Sequence, residues 1–393
     1  MPNKFSTQAV HAGEVKPKPF GAITTPIVQT STYTFTDSAE ILDFMQRAAR
    51  DEGGLRDEYG RYSNPTQSTV ERKMATLERG EKALLFASGM SAITTTFAAF
   101  LSKGDHLILV DGCYHRTGEY CNTFLQRWGV EVSRVPIDDF DQLSAAIRPN
   151  TRMIFAETPT NPYLRVMDLN CLATIANTKN IISVVDSTFA TPINVCPLVH
   201  GIDLVIHSAS KYLGGHNDLL AGVVIGGEGH LVDIKHARDV IGGISNPNDA
   251  YLLLRGLKTL EIRIRRQNEN GHRVAHFLED HTLIRHVHYP GLPSHLDFEI
   301  AKEYLAGFGG VVSFELDGDF EKTGRFIDLL RLPYIGPTLG GVESIIEQPS
   351  ALFSLDPDAR KNAGLKDNLV RYALGIEDAD DLIADLEQAL ASF

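Results

Sequence analysis

The chain has 393 residues, 43% of them hydrophobic, with a formal charge of −13 and an isoelectric point near 5.5. That length implies roughly two or three domains and is ample for a large core. The acidic balance argues against nucleic acid as the main partner, because phosphate backbones need basic surface, but one local basic pocket can still bind a small anion. Cys113, Cys121, Cys171 and Cys196 are widely spaced and form no C-x-x-C pair. This excludes a zinc ribbon, and no metal site is expected. So few cysteines in a long chain fit a reducing compartment. The opening residues lack an apolar signal core, and no run of about 18 apolar residues occurs. The expectation is a soluble cytoplasmic protein with no membrane partner.

Residues 1–62 read as an irregular arm, punctuated by Pro2, Pro17, Pro19 and Pro26 and by Gly13, Gly21, Gly53 and Gly54. Too broken to build its own core, it is expected to wrap another part of the molecule or a second subunit. Asn64 is a good N-cap and Pro65 a good first helical residue. Val70, Met74 and Leu77 follow at helical spacing, and Gly80 ends the run. Ala83–Phe86 reads as a strand, Gly89 as a turn, and Ile93, Phe97 and Leu101 as one face of a helix. A strand–Gly–helix junction points free N–H groups outward, which suits a phosphate or an ordinary βα turn equally.

The pattern then repeats. Strands His106–Val110, Met153–Ala156, Ile181–Val185 and Leu204–Ile206 alternate with helical segments such as Asp141–Ile147 and Leu169–Thr178. Alternating units imply an α/β fold with a largely parallel sheet, and ligands bind at the strand ends of such sheets. Past residue 250 the texture changes. Tyr251–Asn270 reads as one long Arg-rich helix, Gly309–Leu316 as an alternating strand, and Asp378–Leu390 as a closing amphipathic helix. These place a ligand-binding domain at 63–255 and a second, smaller α+β domain at 256–393.

The chemistry gathers at those strand ends. The apolar run from Leu204 closes in His207-Ser208-Ala-Ser210-Lys211-Tyr-Leu-Gly-Gly. A lysine there is partly desolvated, which frees its amine as a nucleophile. Ser208 and Ser210 can donate to a phosphate. Together they suggest a Schiff-base lysine holding pyridoxal phosphate (PLP); taken alone, a surface lysine in a Gly-rich turn fits as well. Asp186, directly after a strand of Val and Ile, would pair with the pyridine nitrogen and make the ring an electron sink, or would simply cap the next helix. Tyr114 can stack on a flat ring or plug the rim of the sheet. No G-x-G-x-x-G follows the early strands, which disfavours a dinucleotide fold.

Five motifs in order carry a resemblance: Tyr59-Gly-Arg61-Tyr-Ser-Asn-Pro-Thr, Ser88-Gly-Met-Ser-Ala, Glu157-Thr-Pro-Thr-Asn161-Pro, Val185-Asp186-Ser-Thr188-Phe-Ala-Thr-Pro, and the Lys211 stretch through Asn217-Asp218. Leu339-Gly-Gly-Val-Glu-Ser344 and Lys366-Asp-Asn-Leu-Val-Arg371-Tyr-Ala-Leu-Gly-Ile-Glu extend it to the C-terminal half. The chain resembles the PLP-dependent enzymes of Cys/Met metabolism: cystathionine γ-synthases, cystathionine lyases and methionine γ-lyase. Its Gly242-Gly-Ile-Ser-Asn246-Pro-Asn and Gly309-Gly-Val-Val-Ser-Phe-Glu stretches most resemble the plant-type synthases. The resemblance implies the fold-type I architecture: a mostly parallel seven-stranded sheet flanked by helices, a smaller C-terminal domain and an extended N-terminal arm.

It also implies roles. Lys211 binds PLP covalently and shuttles protons, Asp186 meets the pyridine nitrogen, and Tyr114 stacks on the ring. Ser208, Ser210, Gly89 and Met90 hold the phosphate, with Thr188 beside Asp186. Tyr59 and Arg61 reach the neighbouring subunit's PLP, which implies a homotetramer built from active-site-sharing dimers. Arg371, with Asn161 and Ser344, binds the carboxylate of a small amino-acid substrate; without the resemblance it would read as a surface arginine. Members with other specificities carry Arg where this chain has Glu119, while His115 and Arg116 match the basic pair of plant-type synthases. Arg116 would hold an anionic leaving group. Glu119 would favour a cationic side chain such as a guanidino group, or pair with Arg116. Phe353 stands near where relatives place Thr or Ser by the substrate carboxylate, with Ser354 adjacent. The activities implied are γ-replacement of an activated homoserine by cysteine, or γ-elimination from cystathionine, methionine or canavanine; a chain that has lost catalysis is the third class.

Overall fold

The computed structural model describes residues 3–50, 56–353 and 364–392. Gly53, Gly54, Ser354 and the side chain of Phe353 lie outside what is described. Two sheets organise the molecule. The larger has seven strands: β1 (Lys82–Phe86), β2 (His106–Val110), β3 (Glu131–Val135), β4 (Thr151–Glu157), β5 (Ile182–Asp186), β6 (Leu204–Ser208) and β7 (Gly222–Gly226). Their spatial order is β1-β7-β6-β5-β4-β2-β3. Strand β7 runs antiparallel to both its neighbours, and the remaining pairs are parallel. Nearly every residue of β2, β5 and β7 is buried, as a sheet covered on both faces requires.

Period-two alternation sorts each strand between two cores. Met153, Phe155, Val184, Leu204 and Ile206 pack toward Ile93 and Phe97 of the Gly89–Phe100 helix. Ile154, Ala156 and Val185 pack on the opposite side against Leu169, Leu172 and Ala176. Glu157, Asp186 and Ser208 continue the first set, so all three face the side of the sheet that carries the Gly89 helix.

The smaller sheet comprises β8 (Ile284–His288), β9 (Val311–Leu316), β10 (Tyr334–Ile335), β11 (Ile345–Glu347) and β12 (Leu369–Ala373), in the order β10-β11-β12-β9-β8. Val312, Phe314, Val370 and Tyr372 pack against Leu382, Leu386 and Leu390 of the last helix, Ala379–Ala391. Alternation turns Arg371 to the other face, in register with Glu347 on one side and Ser313 on the other. That face meets the large sheet's loops, since Val311 and Ala373 join a core with Ala209, Tyr212 and Leu213.

Several expectations change. Helix Pro65–Leu77 starts as read, with Asn64 accepting from the amides of Thr66 and Gln67. The arm is more structured than its prolines suggest. Phe5–His11 and Ser38–Ala49 are helices, and the first is pinned to its own chain by buried Lys73, whose amine donates to Ala9 O at 2.8 Å and Val10 O at 3.2 Å. The single helix over 251–270 is two, Pro247–Leu257 and Leu260–Glu279. They part where buried Arg263 turns onto the carbonyls of Tyr212 and Gly256, at 2.7 and 2.9 Å. Arg263 thereby braces the loop after Lys211; burial pulls its pKa down to about 10. Strands β3 and β7, as long as their neighbours, lack the polar cluster that marks the other strand ends and carry no distinct signal.

Candidate active site

Lys211 stands in the turn after β6, where Lys211 N–H donates to Ser208 O. Its Nζ donates to Thr338 Oγ1 at 2.7 Å. Burial lowers the Lys211 pKa, the Arg371 charge lowers it further, and Glu347 opposes both. The amine is therefore closer to its neutral, nucleophilic form than a solvated lysine. Thr338 comes from the segment before Leu339-Gly-Gly. Gly340 has φ +83°, and a Cβ there would lie 2.5 Å from Tyr212 N, so only glycine lets this segment close over the lysine turn.

Asp186 ends β5, almost fully buried. Its Oδ1 accepts from Thr188 N–H at 3.0 Å and Thr188 Oγ1 at 2.5 Å, while Thr188 Oγ1 also receives Ser208 N–H at 2.8 Å. Burial raises the Asp186 pKa; the Thr188 hydrogen bonds and His207 pull it back. An ionised Asp186 here is costly without a cationic partner, and a protonated ring nitrogen would supply one.

Ser88 caps the Gly89–Phe100 helix by accepting from Ser91 N–H, leaving the Gly89 and Met90 amides directed out of the first turn. Gly89 presses on the next strand end: a Cβ on it would meet Ser208 Cβ at 2.9 Å. Helix amides and the Ser208 hydroxyl so converge on one anion-sized spot. The Ser210 hydroxyl donates to Ala221 O at 3.2 Å and accepts from Ala221 N–H at 2.9 Å. Tyr114 precedes the His115–Tyr120 helix, more than a third exposed, with its N–H donating to Glu157 Oε2 at 2.7 Å.

Arg371 is 4% exposed, unlike the surface arginine it would be without the resemblance. Its Nη1 donates to Asn161 Oδ1 at 3.2 Å and Nη2 to Thr338 O at 3.0 Å, and it pairs with Glu347 at 2.9 Å. Burial pulls Arg371 down and Glu347 up, and their contact opposes both shifts. Arg371 Nε has no partner among the described residues, a free donor in a buried guanidinium. The Ser344 hydroxyl donates to Glu377 Oε2 at 2.9 Å and accepts from Gly375 N–H at 2.9 Å. Thr338, Glu157 and Glu347 are the site residues that reading missed. Arg116 and Glu119 bond each other at 2.5 Å, both more than half exposed. Tyr59 and Arg61 line a separate cavity of about 300 Å³ with Gly242, Ser245 and Asn246.

The residues therefore fit PLP: a loosened amine, an anion seat at a helix start, and a buried carboxylate, all on one side of one sheet. No group of His, Cys, Asp and Glu among the described residues suits a metal ion, and no helix among them is long and apolar enough to cross a membrane. The chain is 44% identical over 386 residues to Arabidopsis thaliana "Cystathionine gamma-synthase 1, chloroplastic", covering 97% of this chain and 68% of that one. It is 40% identical to the L-methionine gamma-lyase of Fusobacterium nucleatum, covering 98% of each. The crystal structure of cystathionine gamma-lyase from Lactobacillus plantarum complexed with L-serine superposes with a TM-score of 0.90 at 37% identity, covering 99% of both chains. The family described as Cys/Met metabolism PLP-dependent enzyme matches residues 6–391, and the chain belongs to that family.

Proposed function

We propose that the protein joins an activated homoserine (O-phospho-, O-succinyl- or O-acetylhomoserine) to cysteine by γ-replacement, giving cystathionine. The observation that carries this reading is the buried Arg371–Asn161 contact beside Lys211, a receptor for an amino-acid carboxylate. Replacement is favoured over elimination by the higher identity to the plant synthase, 44%, than to the methionine lyase, 40%.

In this reading Lys211 holds PLP, the Gly89 and Met90 amides and Ser208 hold its phosphate, and Asp186 faces its ring nitrogen. Bound there, PLP supplies an electron sink that stabilises negative charge at the substrate's Cα and Cβ. Arg371 and Asn161 fix the substrate carboxylate and so orient the Cα–H bond. Lys211 Nζ takes that proton and moves it on, and Thr338 Oγ1 sets the resting position of the amine. Tyr114 covers the ring and can hold a proton at its phenol oxygen. Tyr59 and Arg61 serve the neighbouring subunit, the active unit is a dimer and the assembly a homotetramer, at home in the cytoplasm.

Elimination is the second reading, favoured by one observation. Arg116 is already paired with Glu119, so an anionic leaving group meets a neutralised side chain. Incubation with each homoserine ester, with and without cysteine, and with cystathionine and canavanine separates the two. Cystathionine formed only with cysteine supports replacement; a 2-oxo acid released without added thiol supports elimination. Glu119→Arg should shift leaving-group preference while PLP stays bound, and unchanged preference removes Glu119 from the specificity argument.

A further inference from the structure

Glu157 is a buried carboxyl to which the mechanism assigns no role. It ends β4, 4% exposed, in register with Asp186 of β5. The strands are parallel, so the two side chains share a face, about 4.8 Å apart at the backbone. The described hydrogen bonds and ion pairs give Glu157 no basic side chain. Its bonded neighbour is the Tyr114 amide, which donates to Oε2 at 2.7 Å. Asp186 faces it from β5, and Cys113 and Tyr114 face it from the loop after β2. Burial, and next to it the Asp186 charge, pushes the Glu157 pKa far up; the Tyr114 amide pulls it back. Two carboxylates side by side in such a place do not both ionise. The two differ in what they are offered: Asp186 takes two donors from Thr188 on one oxygen, while Glu157 takes one amide.

We propose that Glu157 is a positioning residue: as a neutral carboxylic acid it fixes the backbone of Tyr114 at the cofactor ring and leaves Asp186 the sole ionised carboxylate there. A neutral Glu157 still accepts the Tyr114 amide through its carbonyl oxygen. It adds no charge to compete with Asp186 for the ring proton. Tyr114 begins a six-residue helix, His115–Tyr120, with no side-chain cap of its own. The Glu157 oxygen therefore fixes where that helix and its preceding tyrosine start. The inference rests on PLP at Lys211 and is the same for replacement and elimination.

The test uses PLP-loaded Glu157→Gln and Glu157→Ala proteins. Read out are kcat and KM, the visible circular dichroism of the bound cofactor, and the pH titration of its visible absorption. Gln reproduces a neutral acceptor, so it should keep kcat within about twofold, with the wild-type dichroism and titration midpoint. Ala removes the acceptor and should lower kcat about 10- to 100-fold, with KM little changed and the dichroism diminished. A midpoint moved by a full pH unit in Glu157→Gln would show an ionised Glu157 and overturn the proposal, as would unchanged kcat and dichroism in Glu157→Ala. Should the Ala protein fail to fold, the Gln protein alone decides through its midpoint and dichroism. A preparation whose Lys211 takes up no PLP in the wild type would instead sink the family chemistry beneath both.

Discussion

Arg371 touches Asn161, Thr338 and Glu347. A guanidinium held this way loses little further freedom when a carboxylate arrives. A charge-assisted contact of this kind contributes about 1.5–3 kcal/mol, so Arg371→Leu should raise KM about 10- to 100-fold with the cofactor still bound. The same change strands Glu347 in a buried place, at a cost of about 3–5 kcal/mol of stability. Pairing it with Glu347→Leu separates the effects: thermal stability should return and the KM defect remain. Steady-state kinetics and melting curves on the single and double variants check both halves. At this scale Lys211, Asp186 and Asn161 were legible because local motifs surround them. Thr338 was not, because it bonds a lysine 127 positions away in the chain, and no local pattern reports such a partner.

The segments that aim these side chains are loops braced by glycine and by buried charge. Gly340→Ala would put a Cβ on backbone at φ +83° and within 2.5 Å of Tyr212 N. The strain costs about 1–3 kcal/mol, and relief by moving the segment takes Thr338 off Lys211. The expected outcome is a modest drop in melting temperature with a larger drop in kcat and a shifted pH–rate profile. On β9, burial opposes ionisation of Glu315, but hydrogen bonds from His288 and Lys366 outweigh it and hold the pKa at about 2, against 4.5 ordinarily. A carboxylate with a depressed pKa stabilises the fold above its unfolded value, and that stability is lost as pH falls through the folded one. Glu315→Gln should cost about 1–2 kcal/mol near neutral pH, allowing for the exposed Lys366. The gap should close between about pH 4.5 and 2, as urea titrations at several pH values would show. Helix Pro65–Leu77 and strands β2, β4, β5 and β6 followed from caps and periodicity, whereas the arm helices and strands β3 and β7 did not. The break at Lys258–Thr259 did not, because apolar spacing continues across it while Arg263 is drawn to carbonyls of a distant loop.

For the whole molecule, one chain brings Lys211, Asp186, Ser208 and Arg371 together, but Tyr59 and Arg61 stand by a different cavity. Arg61 donates to Asp239 O and stacks on Tyr62, with Tyr59 40% exposed. If those two serve a neighbour's cofactor, Arg61→Ala and Lys211→Ala must each be inactive yet complement each other. Random pairing after co-refolding leaves one intact site in each mixed dimer, so activity should recover to about a quarter of wild type. No recovery, with mixed dimers demonstrated by differently tagged chains, would confine each site to one chain.

Order of elements, the lysine and the strand ends that carry chemistry were determined by sequence, because periodicity, caps and Gly-rich turns act over a few residues. The tertiary structure alone decided which polar groups meet. It buried Arg371, gave the Ser344 hydroxyl to Glu377 and set Glu157 beside Asp186. Strand register and domain packing govern those encounters, and both depend on contacts between residues far apart in the chain, where a side chain's type leaves its partner open.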